Sequence, residues 1–355
     1  MGQSLRSRDR CGYDKIVILK KMLSEASFTN AAMSLIKPKS AVISADNGVP
    51  GIVPNNFYWL ANGHEKAVLA CRFNNSGNVV VSAGLDPHLT IWSLDTGESY
   101  AVKDCHKNGS PITTLELFDE ETKIITGSSD TTLSILDFET GMKLKSLPGH
   151  SSIINQVKPL SNTTIASVGD DGMLKVWDVR TRKAVWSATT EFPLFTLATT
   201  GEKHMVYTSG LEPVIRIWDL RSSQKDDTLS IETPHTDSIL SLDLTNRSKI
   251  CSLGFDNTLH FYDGNIHSVK DSRVLSNSIK LSSTSDDKFL TRCKLIQDGR
   301  YVLAHGCMYD VVTRTLLSED QQQHHVGQVI DMDYNKSTNR IVSSSVDGSL
   351  LIKGL

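Results

Sequence analysis

The chain has 355 residues, a formal net charge of −3, 39% hydrophobic residues and 22% charged residues. This is the make-up of an ordinary globular protein, and it excludes a disordered chain and a strongly basic nucleic-acid binder. The six cysteines, Cys11, Cys71, Cys105, Cys251, Cys293 and Cys307, form no C-x-x-C pair, which argues against a zinc site and a disulfide framework and suits a reducing intracellular compartment.

Residues 1–56 come first and carry eight Lys/Arg and four Asp/Glu, so the net charge splits into +4 on this arm and −7 on the remainder. Arg6 stands where a myristoylation signal has Ser or Thr, and no apolar run in the chain approaches the roughly 20 residues that span a bilayer, so the protein reads as soluble and unlipidated. Ile16, Leu19, Met22 and Leu23 fall at helical spacing, followed by Phe28 and Leu35, whereas residues 37–54 hold Pro38, Pro50 and Pro54. The arm is thus expected to be partly helical and then a linker, either packed on the flank of the main domain or docking a partner. Arg6, Arg8, Arg10, Lys20 and Lys21 are compatible with nuclear import.

From residue 57 the sequence is periodic. Histidines that open a strand after a turn occur at His64, His106, His150, His235 and His325, with spacings of 42, 44, 85 and 90, the last two being double steps. Residues that close a β-run recur at Trp92, Leu136, Trp177, Trp218, Tyr262, Tyr309 and Ile352. Seven marks at a period of about 40 to 45 residues predict seven four-stranded units. One such unit cannot bury both of its faces, whereas seven packed radially can.

Within each unit a hydroxyl stands four residues before a turn acid: Ser82 before Asp86, Thr126 before Asp130, Ser167 before Asp171, Thr208 before Glu212, Ser252 before Asp256 and Ser343 before Asp347. This pattern, with Gly149-His150 through Trp177-Asp178 and with Trp218-Asp219, resembles the WD-repeat family over about residues 57–355. The resemblance implies an all-β, seven-bladed WD-repeat β-propeller in which Trp, hydroxyl, His and Asp form a buried hydrogen-bonded chain. Complete sets are His64, Ser82, Asp86, Trp92 and His150, Ser167, Asp171, Trp177. The fourth unit lacks the opening His, and the sixth runs from Ala304 to Tyr309 almost at once, so both are expected to be looser, the sixth with a shortened hairpin. Phe57-Tyr58-Trp59-Leu60 is a spare strand before the first unit, and the last repeat has no outer strand, so closure is expected there. The domain division is accordingly 1–56 and 57–355.

His, hydroxyl and Asp are also the parts of a hydrolase triad. Recurrence five or six times at structural spacing speaks for a structural role, and no G-x-S-x-G, Walker loop or H-E-x-x-H sequence occurs. His324-His325 lacks nearby acids or cysteines for a metal. The expectation is no catalysis, no cofactor, no metal and no small-molecule substrate.

The position before the turn acid reads Leu85, Ser129, Asp170, Leu211, Phe255 and Val346. The apolar members, Leu85, Leu211, Phe255 and Val346, form a candidate partner rim, or else are half-buried among neighbouring loops. Trp177-Asp178-Val179-Arg180 and Trp218-Asp219-Leu220-Arg221 resemble the W-D-x-R motif of WD-repeat substrate receptors of cullin-RING ubiquitin ligases, which would make Arg180 and Arg221 adaptor contacts. Several strings, VLACRF at 68–73, SAGLD at 82–86, IRIWDLR at 215–221, FLTRC at 289–293 and SSSVDGSLLIKGL at 343–355, are similar to WD-repeat subunits of the U5 small nuclear ribonucleoprotein of the spliceosome. That resemblance implies a nuclear scaffold in pre-mRNA splicing, bound to U5 proteins including the large scaffold subunit, with RNA contact indirect, as a ring of −7 would favour.

Overall fold

The computed structural model describes residues 42–43, 57–60, 63–200, 204–222, 229–245, 249–263, 274–281, 289–319 and 324–355. The helical reading of the arm lies outside the described residues. No described helix is long and apolar enough to cross a membrane.

Seven antiparallel sheets form a closed propeller. The first blade comprises Val68–Phe73, Val79–Gly84, Leu89–Ser93 and Ser99–Val102. The next five repeat this meander, and the seventh joins Val329–Asn335, Arg340–Ser345 and Leu350–Gly354 to Phe57–Leu60 and Val42–Ile43. Phe57 lies opposite Lys353 and Leu60 opposite Leu350, so chain segments some 300 residues apart share one sheet. The first strand of each blade is innermost and contacts the first strands of both neighbours.

The core is interblade. Seven buried apolar clusters correspond to the seven blade-to-blade interfaces; six hold nine to thirteen buried residues among those described, such as Phe118, Ile125, Leu133, Ile154, Val157 and Trp177 between blades 2 and 3. The interface between blades 6 and 7 holds five, Ile296, Leu303, Val329, Met332 and Ile341. Blade 6 turns between Tyr301–Ala304 and Cys307–Asp310 on His305 and Gly306, with φ of 51° and 78°. Positive φ at both turn residues is the tight hairpin whose twist matches the strands, and Gly306 relieves the strain of the second position.

In six blades the first strand carries a register shift after its first residue, as between Val68 and Ala70 or Ile154 and Gln156. Such a bulge leaves the second residue unpaired with its neighbour and re-aims the third. That geometry matters for the channel.

Candidate functional site

The turn-acid face is built on hydrogen-bonded chains. In blade 3, Trp177 Nε1 donates to Ser167 Oγ at 2.9 Å, Ser167 Oγ lies 2.7 Å from His150 Nε2, and His150 Nδ1 lies 2.9 Å from Asp171 Oδ2. With Nδ1 donating to the carboxylate, a neutral ring must accept at Nε2, so each proton points one way, from Trp to Asp. Blade 1 repeats this through Trp92, Ser82, His64 and Asp86 at 2.8, 2.8 and 3.2 Å. Blades 2 and 5 keep His, hydroxyl and Asp, with Leu136 and Tyr262 in place of Trp, and the Tyr262 hydroxyl lies 3.2 Å from Ser252 Oγ. In blade 4 Trp218 still donates to Thr208 at 2.8 Å, while Glu212 pairs with Arg216. Among the described residues, blade 6 keeps of this chain only Thr291 Oγ1 with His305 Nε2 at 3.0 Å. Blade 7 inserts Ser349 between His325 Nδ1 and Asp347.

These hydroxyls are no nucleophiles: Ser82, Ser167 and Ser252 are fully buried and already committed to His. His64, Asp86 and His88 come within 4.8 Å of one another. His64, however, spends Nδ1 on Asp86 and Nε2 on Ser82, and His88 Nε2 lies 2.9 Å from the Gly63 carbonyl, so these atoms are held by protein groups. One signal went unread: a glycine two residues after the hydroxyl, as at Gly84, where a Cβ would come 2.0 Å from the Ala67 carbonyl oxygen.

Burial lowers the pKa of His64, and brings that of His325 down to about 4. Burial opposes ionisation of Asp130 and Asp256 too, but hydrogen bonds from His and backbone amides outweigh it and hold both carboxyls low. Unfolded histidine titrates near 6.5, so the folded state resists a proton that the unfolded chain accepts. The contribution is complete above about pH 6.5 and is lost as pH falls toward 4, by on the order of 3 kcal/mol for a shift like that of His325. The denaturation midpoint is therefore expected to be flat above pH 7 and to fall between pH 6.5 and 4. His325→Gln should flatten that slope; an unchanged slope would remove His325 from the cause.

The rim residues Leu85, Leu211, Phe255 and Val346 are all half-buried. The structure divides them. Leu85 and Val346 join Leu69, Ala67, Phe289 and Ile330 in one apolar cluster at the channel mouth, while Leu211 and Phe255 stand outside it. Ser129 and Asp170 make the rim polar at blades 2 and 3, and Asp170 accepts from Asn155 Nδ2 at 2.7 Å.

Arg180 and Arg221 lie past the opposite ends of their strands, on the other face. Each forks onto its own Asp, Asp178 at 2.6 Å and Asp219 at 2.7 Å, with side chains 73% and 67% exposed. Hydrogen bonds from these arginines pull both carboxyls down to about 2.

The channel is lined by a feature the sequence reading did not find. At one register position, next to the residue facing the hydroxyl, the first strands carry Arg72, Glu116, Lys158, Ala198, Asp243, Lys294 and Asp333. The charges alternate around the ring, and because seven is odd, one position must break the alternation; Ala198 does so without a like-charge neighbour pair. Arg72 lies 3.1 Å from Glu116, Glu116 pairs also with Lys158, and Lys294 lies 3.4 Å from Asp333. Arg72 is further held by Asp331 at 2.6 Å. Side chains two residues earlier accept backbone amides of the next blade: Gln156 from Leu197 at 2.8 Å, Thr196 from Leu242 at 2.8 Å, Ser241 from Cys293 at 3.1 Å and Asp331 from Cys71 at 3.2 Å. The signal available in the sequence was a polar residue inside each otherwise apolar first strand.

Comparison with known proteins places this architecture. The profile of the WD domain, G-beta repeat, matches residues 57–93 and 141–178, so the chain carries WD repeats. It is similar to a pre-mRNA-splicing factor of Schizosaccharomyces pombe, cwf17, at 30% identity over 45% of this chain and 48% of that protein, about half its length. It is similar to the human U5 small nuclear ribonucleoprotein 40 kDa protein at 25% identity over 82% of each chain. A shorter likeness, 27% over 44% of this chain but 6% of the relative, is to telomerase protein component 1 of Rattus norvegicus.

Proposed function

We propose that this WD-repeat propeller is a non-catalytic protein-binding scaffold of the U5 ribonucleoprotein in the nucleus, acting in pre-mRNA splicing beside the particle's large scaffold protein. The observation that carries the reading is the likeness to a U5 protein over 82% of both chains. The half-buried rim residues Leu85 and Val346, packed on buried Phe289 and Ile330, support a protein partner, since partly exposed apolar side chains favour desolvated contacts. A ring of −7 supports RNA contact through partners and not directly.

A tagged pull-down from nuclear extract tests this: U5 RNA with spliceosomal proteins is the expected catch. Leu85→Ala with Phe255→Ala should cut that catch at least about tenfold, as truncation of an interface anchor does, while the melting curve stays close to the parent's. A stable variant that keeps every partner would defeat the rim assignment. The second reading is a cullin-RING substrate receptor, favoured by the exposed Arg180 and Arg221. Recovery of a cullin and its adaptor, lost in Arg180→Ala with Arg221→Ala, would replace the first reading.

A further inference from the structure

We propose that Arg292 is a strap that closes the central channel by tying blade 6 to blades 3, 4 and 5 across the ring. Arg292 precedes the first strand of blade 6, Cys293–Ile296, and is 8% exposed. Its guanidinium crosses to the other side of the ring, donating to the Asn155 carbonyl at 2.6 Å, Gln156 Oε1 at 3.1 Å, the Phe195 carbonyl at 3.1 Å and the Leu240 carbonyl at 3.4 Å. Its backbone amide donates to the Ile330 carbonyl of blade 7 at 2.7 Å. One residue thus ties blade 6 to blades 3, 4, 5 and 7.

The acceptors are not arbitrary. Asn155, Phe195, Leu240 and Ile330 are the second residues of their first strands, where the bulge takes the backbone out of the ladder. Buried carbonyls freed in this way need donors, and a planar fork with five N–H groups can serve several at once where an ammonium cannot. The strap also acts where the hydrogen-bonded chains are poorest among the described residues, in blade 4 without His and blade 6 with Thr291 and His305 alone. The neighbouring 6/7 interface, which Arg292 bridges through its backbone amide alone, has five buried apolar residues among those described, against nine or more elsewhere.

Hydrogen exchange of the full chain, read by mass spectrometry, tests the strap. In Arg292→Met, exchange should rise at least tenfold in Ile154–Pro159, Leu194–Thr199, Ile239–Leu244 and Cys293–Ile296, and less than twofold in Val68–Phe73 and Ile112–Phe118. Arg292→Lys, which keeps the charge and folds more readily, should give the same pattern at smaller amplitude. An equal rise in all inner strands, or no rise, overturns the proposal.

Discussion

Glu116→Gln is expected to destabilise the propeller by about 3 to 5 kcal/mol, because it leaves two enclosed cations short of their shared counter-charge. Glu116 is 9% exposed and pairs with both Arg72 and Lys158. Burial alone would raise its pKa, but Arg72, Lys158 and Lys294 bring it down to about 2. The carboxyl is therefore charged throughout the physiological range, and its contribution is complete above about 4.5 and lost as pH falls toward 2. Burial already lowers the pKa of Lys158, against the pull of Glu116, so removing the carboxylate should make Lys158 shed its proton more readily. The Gln variant should melt some 6 to 20 °C lower, taking about 2 to 4 °C per kcal/mol for a chain of this class, and should lose the acid limb that Glu116 supplies. Adding Lys158→Met should recover part of the loss, since one unpaired charge goes with it. A loss below about 1 kcal/mol would mean that channel water solvates the cations and that the ring of charges is not a structural element.

Trp177→Ala is expected to cost a similar amount, about 3 to 5 kcal/mol, through a cavity between blades 2 and 3. Trp177 is 1% exposed and belongs to the cluster with Leu133, Leu147 and Ile165. Its indole N–H is also the first donor of the chain that ends on Asp171. Trp177→Phe separates the two effects: it keeps most of the apolar area and loses the bond to Ser167, which is worth about 1 kcal/mol. Blade 2 supplies an internal comparison, because Leu136 occupies the equivalent place while His106, Thr126 and Asp130 stay bonded. The indole is thus an addition to the His chain and not a condition for it. Chemical denaturation of both variants checks the order Ala worse than Phe; equal losses would assign the whole effect to the hydrogen bond.

The blade count was legible because each repeat is a local unit. Strand alternation, the turn acid and the hydroxyl four residues before it all lie within about 20 residues, and each is needed inside its own sheet. Even the irregular sixth blade could be read, since His305-Gly306 leaves room only for a tight turn. Leu85, Leu211, Phe255 and Val346 stand out in the sequence as apolar residues before a turn acid, yet nothing local says that Leu85 and Val346 meet Phe289 and Ile330 while the other two stand outside that cluster.

By itself, then, the sequence determined the number of blades, the recurring His, Ser/Thr and Asp positions, and the blades that depart from the pattern, because those depend on contacts within one repeat. That these positions form a bonded chain came from the likeness to WD repeats. The tertiary structure decided the alternating charges from Arg72 to Asp333, the neutral break at Ala198 and the reach of Arg292 across the channel. These partners lie between about 40 and 260 residues apart along the chain, and only the radial packing of seven twisted sheets brings their inner strands to one axis.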